Sequence, residues 1–448
     1  MNTREYHMQR LLVILFAVTL CAVSLPAQDS QTAAAVAGQQ NGGSMPVGFG
    51  ATFIDGKTYY LVNIAPEVAF GNLGVGLDLN LRVGTDGTIR KEDYDESYDY
   101  FRMVRYVRWA QKGDPFYIRL GQLDYSRLGH GSIVYNYRNS ASVDLRKVGL
   151  ELDVNFESFG AEMLYSDLAR ASVLGMRGYI KPLKFTSLAK VPVINNFEIG
   201  ATYATDVDKN AHKLYNFTTG QVTDNSSISI VGIDLGLPVI SYKIFKSSLY
   251  FDYVTIMDYG TGAVAGIDMH FSGLGLVTIS GKYERRFLGD QFLPSYFDAL
   301  YERERYVPDS VTFESKAMAL RDAKSQEGYY GEVVMSVLGT FHLIGGYYQA
   351  PLGVKNRGTM HFQLLTGDII PVIQFSAGYD KRNVGSVFKL DNNSILSAEV
   401  GYKPYPFMMV STLYQWTFKE KKEEPSGRVI GYEQQRRIEP KVSFIFNF

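Results

Sequence analysis

Leu73-Gly74-Val75-Gly76-Leu77-Asp78-Leu79-Asn80-Leu81-Arg82-Val83 decides the fold. Alternate positions are Leu or Val, and the positions between them hold glycine, Asp78, Asn80 and Arg82. A period of two sustained over this length is a β-strand with one apolar and one polar face. The pattern recurs at Val148–Glu157, where Val148, Leu150, Leu152, Val154 and Phe156 oppose Gly149, Glu151, Asp153, Asn155 and Glu157. In Val277–Arg286, Val277, Ile279 and Tyr283 oppose Thr278, Ser280, Lys282, Glu284 and Arg286. Helices cannot be built on this spacing.

The rest of the composition agrees. The 448 residues carry 43 glycines, 32 tyrosines and 27 phenylalanines, with no compositional break that marks a linker. A mean hydropathy of −0.09 is too polar for a bundle of membrane helices. It is what strands give when each lipid-facing residue is followed by an inward polar one. The formal net charge of −1, spread along the chain, lacks the basic face that nucleic-acid binding needs.

Segments of about ten residues, the length of a tilted membrane strand, run from 46–54 to 433–448. Those between include 57–70, 73–83, 100–111, 114–123, 143–156, 406–419 and others, twenty in all. Long connections are expected after the third, fifth, ninth, thirteenth, seventeenth and nineteenth, all odd. Even-numbered segments end mostly in tight turns such as Gly71-Asn72, with 183–195 the exception. Only an ordered up-and-down sheet keeps that parity. A soluble β-sandwich also alternates, but its strands are usually about five or six residues long. Aromatic residues also crowd strand ends here, at Tyr59 and Tyr60, Tyr402 and Tyr405, and Tyr414, Trp416 and Phe418. The expected fold is therefore an all-β, transmembrane, antiparallel up-and-down barrel of about 16–20 strands, with 18–20 favoured, and one long, partly helical loop.

Residues 1–27 read as a signal peptide, with Arg4 and Arg10 before the apolar run Leu11–Leu25 and cleavage after Ala27. An N-terminal anchor would need a longer run. Cys21, the one cysteine, would leave with the signal. Residues 28–45 form a small, polar tail, and 46–448 the barrel.

Phe444-Ile445-Phe446-Asn447-Phe448 resembles the C-terminal strand of bacterial outer-membrane β-barrel proteins, and the chain as a whole is porin-like. The resemblance implies a Gram-negative-type outer membrane, reached by the Sec route. It implies that Phe444, Phe446 and Phe448 form the assembly signal, with periplasmic chaperones, the barrel-assembly machinery and outer-membrane lipid as partners. It names no substrate, and a homo-oligomer is compatible with it.

Two sets of residues are candidates for a site. The interruption 288–327 carries Asp298, Glu302, Arg303, Glu304 and Arg305. Its 294–306 portion has helical spacing after Pro294, and 313–326 also reads as helix. Folded into the mouth, as in porins, it would make a charged constriction. Left outside, it would be a solvated loop whose Glu and Arg pair with each other. The second set is the inward face: Asp78, Arg82, Arg119, Glu151, Asp153, Asp234, Asp252, Asp268, Lys282, Glu284, Arg286, Glu332 and Glu399 as pore lining. With Glu157, Glu162, Glu198 and Lys403, that face counts twelve acids against five bases, a modest preference for cations. Arg102, Arg105 and Arg108 sit three apart, which cannot place all three on one face of a strand. A bulge could gather them, and the favoured expectation is that one snorkels at the membrane edge.

Catalysis has little support. The histidines are scattered with no HExxH, no GxSxG elbow exists, and no helix follows Gly260-Thr261-Gly262. Asp268 and His270 share the inward face, an arrangement that usually serves a lumen hydrogen bond. No cofactor, metal, nucleic acid or enzymatic activity is expected. The leading expectation is a passive outer-membrane channel for small hydrophilic solutes or ions. The alternatives are a hydrophobic-substrate channel of the fatty-acid-transporter type and a surface-exposed binding or structural barrel, to which the loop Lys91–Tyr100 would be suited.

Overall fold

The computed structural model describes residues 42–54, 56–140, 146–208, 211, 214–215, 222–223, 227–273, 277–305, 316–337, 341–349, 359–366, 372–382, 390, 394–423 and 428–447. Twenty-two strands form one antiparallel sheet. Two staves of that sheet are each cut in two. Lys57–Ile64 continues as Glu67–Phe70 after Ala65-Pro66, where proline has no N–H to offer the ladder. Leu73–Leu77 continues as Leu79–Gly84 beyond Asp78, whose N–H turns aside to the Met103 carbonyl at 2.8 Å. The sheet therefore has twenty staves, each paired with the next.

The first strand, Gly42–Ile54, pairs antiparallel with the last, Arg428–Asn447, placing Val47 opposite Phe444 and Gly50 opposite Lys441. That pairing removes the free edges of the sheet, as a barrel must. The first strand begins inside the segment expected to be tail.

Burial is inverted relative to a sandwich. Phe49, Phe53, Ile233, Leu249, Phe251, Tyr253, Tyr283 and Phe287 are exposed, while the residues between them, such as Asp234, Asp252, Glu284 and Arg286, are buried. A soluble two-layer fold hides its apolar faces. Apolar outside and polar inside is the arrangement of a membrane barrel. Exposed rings gather beside the short turns: Phe70, Trp109, Phe116, Phe156, Phe159, Tyr402, Tyr405 and Phe407, the placement of an interfacial belt. Tyr60 belongs to the outer face, but Trp416 and Phe418 do not; both are buried, and the Arg303 guanidinium lies 4.8 Å from the Phe418 ring.

Connections keep the parity read from the sequence, with one correction. Met408–Glu423 and Arg428–Asn447 run to 16 and 20 residues, so the link after the nineteenth stave is short rather than long. The even exception stands at 181–197, where three 3₁₀ turns lie between Val173–Ile180 and Glu198–Asp206.

The fourth stave starts later than its sequence suggests. Ser97–Arg102 is a helix, closed by a capping box in which Glu96 and Asp99 each accept the other's backbone N–H. The strand proper is Val104–Trp109. Gly76 faces Tyr106 while Leu77 faces Val104, so Arg105 is an extra residue in the ladder. That bulge lets Arg105 pair with Glu67 at 3.0 Å while Arg108 stays buried, and Arg102 lies in the helix, bonded to Asp99.

Candidate functional site

Two long connections fold inward and fill the end of the barrel where long links gather. The first joins Phe116–Gly121 to Gly149–Asn155, and the second joins Val277–Leu288 to Gln326–Val337. Their contact is backbone to backbone. The Tyr135 N–H donates to the Phe297 carbonyl at 3.1 Å, the Phe297 N–H to Ile133 at 3.1 Å, and the Ser295 N–H to Ser132 at 2.8 Å. Around that bridge Ile133, Val134 and Tyr137 of one loop pack with Phe292, Tyr296, Phe297, Tyr301 and Leu320 of the other. The cluster rests on inward residues of the wall, among them Leu164, Ile230, Val254 and Tyr330. Each fully buried large side chain of this kind contributes about 1.5–3 kcal/mol. The lumen thus has its own apolar core at one level, inside an otherwise polar interior.

Glu302, Arg303, Glu304 and Arg305 of the second loop are buried, against the solvated reading for that run. Tyr137 and Lys147 both donate to the Glu302 carboxylate, and Arg305 lies 3.3 Å from it. Burial raises the Glu302 carboxyl, but Lys147 and Arg305 outweigh it and hold the group below the usual carboxylate range. Burial, reinforced by Glu302, pushes the Tyr137 hydroxyl well above its ordinary value. Arg305 also reaches Asp206 at 2.8 Å and Asp208 at 3.4 Å. Asp298 takes Lys316 at 2.9 Å, and Arg303 pairs with its neighbour Glu304. Among the described residues of this loop, helix is limited to Tyr301–Glu304 and Lys316–Arg321; before Tyr301, Ser295 and Phe297 give their backbone groups to the loop-to-loop bridge instead.

The first loop, which sequence reading passed over as a plain connection, crosses the lumen and is tied to the far wall. At its tip Gly129 and Gly131 take φ of +53° and +95°. The Gly129 N–H donates to Glu162 at 2.8 Å. Nδ1 of His130 lies 2.7 Å from Asp252, the ring stacks on Tyr250 at 4.3 Å between centroids, and Ser132 donates to Asp252. Tyr135 donates to Glu332 at 2.6 Å, and Arg138 pairs with Asp380 at 2.8 Å. The signal in the sequence was the loop's length together with its two close glycines and its tyrosines and arginines.

Most inward acids are neutralised. Glu162, Glu198 and Asp234 converge on Arg177 at 3.2, 2.7 and 2.5 Å. Lys112 lies 3.6 Å from Glu151 and 3.2 Å from Asp153. Arg82 faces Asp93 at 3.1 Å, Asp78 meets Arg146 at 2.8 Å, and Glu399 meets Lys441 at 3.1 Å. Glu284 sits between Lys282 at 2.9 Å and Arg286 at 2.5 Å. Arg119 donates to the Gln122 carbonyl. Glu157 lies in a turn, largely exposed, with Lys184 at 2.7 Å. Single cations are shared, Arg177 by three of these acids and Lys112 by two, so most of the inward acids are ion-paired while acids still outnumber the cations that hold them.

Below the loops, toward the short-turn end, lies a polar cavity of about 200 Å³ that opens to solvent. Arg127 and Tyr135 roof it; Lys246, Ser248, Asp268, His270, Ser280, Lys282 and Glu332 are among its walls. His270 is engaged by Ser280 at 2.9 Å and Ser272 at 3.0 Å, so it forms no pair with Asp268. Among the described residues no three His, Cys, Asp or Glu side chains gather as a metal site. Phe444 lies in the seam with the first strand and Phe446 faces Met45 along it; Phe448 lies outside the described residues.

These features define a transmembrane β-barrel with an ion-paired lumen crossed by two of its own loops. No family model matches the chain, and no curated protein matches its sequence. Similar solved structures include OccK11 (OpdR) of Pseudomonas aeruginosa, with 8% identity and a TM-score of 0.32 over 91% of this chain and 95% of that one. OmpT of Vibrio cholerae gives 8% and 0.29 over 91% and 99%. The siderophore receptor PirA of Acinetobacter baumannii gives 9% and 0.37 over 91% and 81%. None of these likenesses assigns a substrate.

Proposed function

We propose that this protein is an outer-membrane channel for small hydrophilic solutes or ions, narrowed by its own two inward loops. The observation that carries the reading is the polar cavity of about 200 Å³ inside a wall whose outer face is apolar. Water and small polar solutes are the natural contents of such a space. In this reading the long connections face outward from the cell, Asp298 and Glu302 to Arg305 belong to the constriction, and the inward charges line the path. Phe444, Phe446 and Phe448 would present the assembly signal. The N-terminal residues that a fatty-acid type of hatch would need lie outside the described residues.

A second reading is supported by the apolar cluster between the loops: a barrel closed at rest, serving at the surface as a binding or structural element. Single-channel recording of refolded protein in a planar bilayer separates the two. The channel reading expects stable open steps, with weak ion selectivity because the lumen charges are paired. Silence from protein that is folded by heat-modifiable gel mobility sinks it and leaves the closed barrel.

A further inference from the structure

The long link at the short-turn end, residues 181–197, carries Lys181, Lys184 and Lys190 and no acidic residue. It folds as three 3₁₀ turns, Pro182–Phe185, Ser187–Lys190 and Ile194–Asn196. Both ends are tied into the rim of the wall. The Lys181 N–H donates to the Ser158 carbonyl at 2.8 Å, and Ile194–Asn196 lies against Ser229–Ser241. Yet Phe185, Leu188, Val193 and Ile194 are all exposed, Phe185 by 65%. Single exposed apolar residues are ordinary, but a group of them on one surface marks an interaction site. The neighbouring short turns add Phe156 and Phe159, whose rings lie 5.0 Å apart, and Tyr242 and Ile244, all exposed. Lys181 and Lys184 are held by Glu198 at 3.9 Å and Glu157 at 2.7 Å. Lys190 is exposed, as is Lys243 at the adjoining turn.

We propose that residues 181–197 bind anionic phospholipid, with Phe185, Leu188, Val193 and Ile194 set into the acyl boundary and Lys190 and Lys243 at the lipid phosphates. Two observations choose this occupant. Apolar side chains mixed with lysines and free of acids are the composition of a segment lying in a membrane interface, and the charge complements an anionic headgroup. The patch also continues the lipid-facing wall, since Ile180 and Ile199 flank the segment and are exposed on that face. Lysine suits the depth, because its stem lies along apolar surface while the ammonium reaches the phosphate. A second copy of this chain meeting the same patch would set lysine against lysine. With the long connections outward, as proposed above, the leaflet concerned is the inner one. The site rests on the barrel fold and not on conduction.

A fluorescent label at Leu188→Cys, with Cys21→Ser removing the chain's one native cysteine, tests this in full-length refolded protein. The vesicles are equimolar phosphatidylcholine and phosphatidylglycerol, with bromine as quencher on one lipid or the other. Both lipids should quench the label, and phosphatidylglycerol more strongly, enriched about fivefold for each lysine engaged. Lys190→Gln combined with Lys243→Gln should bring the two lipids level. The same label at Ile233→Cys, on the wall, should be quenched equally by both. A label quenched at 233 but not at 188 places the segment in water or against a protein and overturns the proposal. Equal quenching by both lipids at 188 overturns it too, as does a phosphatidylglycerol preference that survives the double substitution. Absence of quenching at both positions fails the membrane barrel itself, and the proposal with it.

Discussion

Glu302 shows how residue-level chemistry sets the state of the lumen. It is 1% exposed and sits among Tyr137, Lys147 and Arg305, so its charge holds two loops together. Glu302→Gln leaves Lys147 without its carboxylate in a buried site, a change that costs about 3–5 kcal/mol. The expected result is a lower urea midpoint in lipid vesicles and larger or more frequent open steps. Acid should act the same way. The folded-state pKa lies below the unfolded value of about 4.3, so the stabilisation is complete above that pH and is lost as pH falls through the folded value. Currents should therefore rise below about pH 4, and Glu302→Gln should lose that part of the acid response. Which way such a residue faces was legible, since Glu151, Asp234, Lys282 and Glu284 alternate inward as read. Which charge meets it was not. Arg177 gathers Glu162, Glu198 and Asp234 from strands brought together only by the register of the sheet.

Strands were legible where alternation is strict, because period two and face are one fact. Their ends were less so. The fourth stave was read from 100, but Glu96 and Asp99 cap a helix there, and a capping signal inside an aromatic run is easily taken for strand. The crossing loop was missed because its partners lie more than a hundred residues away, as Asp252 does from His130. Its shape depends on Gly131. At φ +95° an added Cβ would fall 2.4 Å from the Tyr135 ring, so alanine is strained twice over. Gly131→Ala should cost about 1–3 kcal/mol locally and release the loop tip, seen as noisier open-channel current and faster proteolysis between the fifth and sixth staves. Gly178→Ala, with nothing within 4 Å of the added carbon, is the matched control and should change neither.

At the scale of the whole molecule, one distinction separates this barrel from the sandwich that shares its alternation: which face meets solvent. Sequence alone left that to strand length, aromatic placement and loop parity; the closed pairing of first and last strands and the inverted burial decide it. The filled interior was beyond reach, because whether a long loop enters a barrel depends on the diameter that closure sets and on apolar wall positions such as Ile230 and Val254 that alternation alone would read as ordinary. Neighbouring residues on one strand give a test of the whole architecture. Ile233 is 57% exposed on the outer face and Asp234 is buried beside Arg177. In a membrane wall, Ile233→Lys should cost about 2–4 kcal/mol near mid-depth. A solvated surface would accept the same lysine almost without cost. Refolding yield into phospholipid vesicles, followed by gel mobility, should fall for Ile233→Lys while solubility in urea stays unchanged. If Ile233→Lys inserts as well as the parent, the apolar exterior does not face lipid, and the membrane-spanning reading of the fold goes with it.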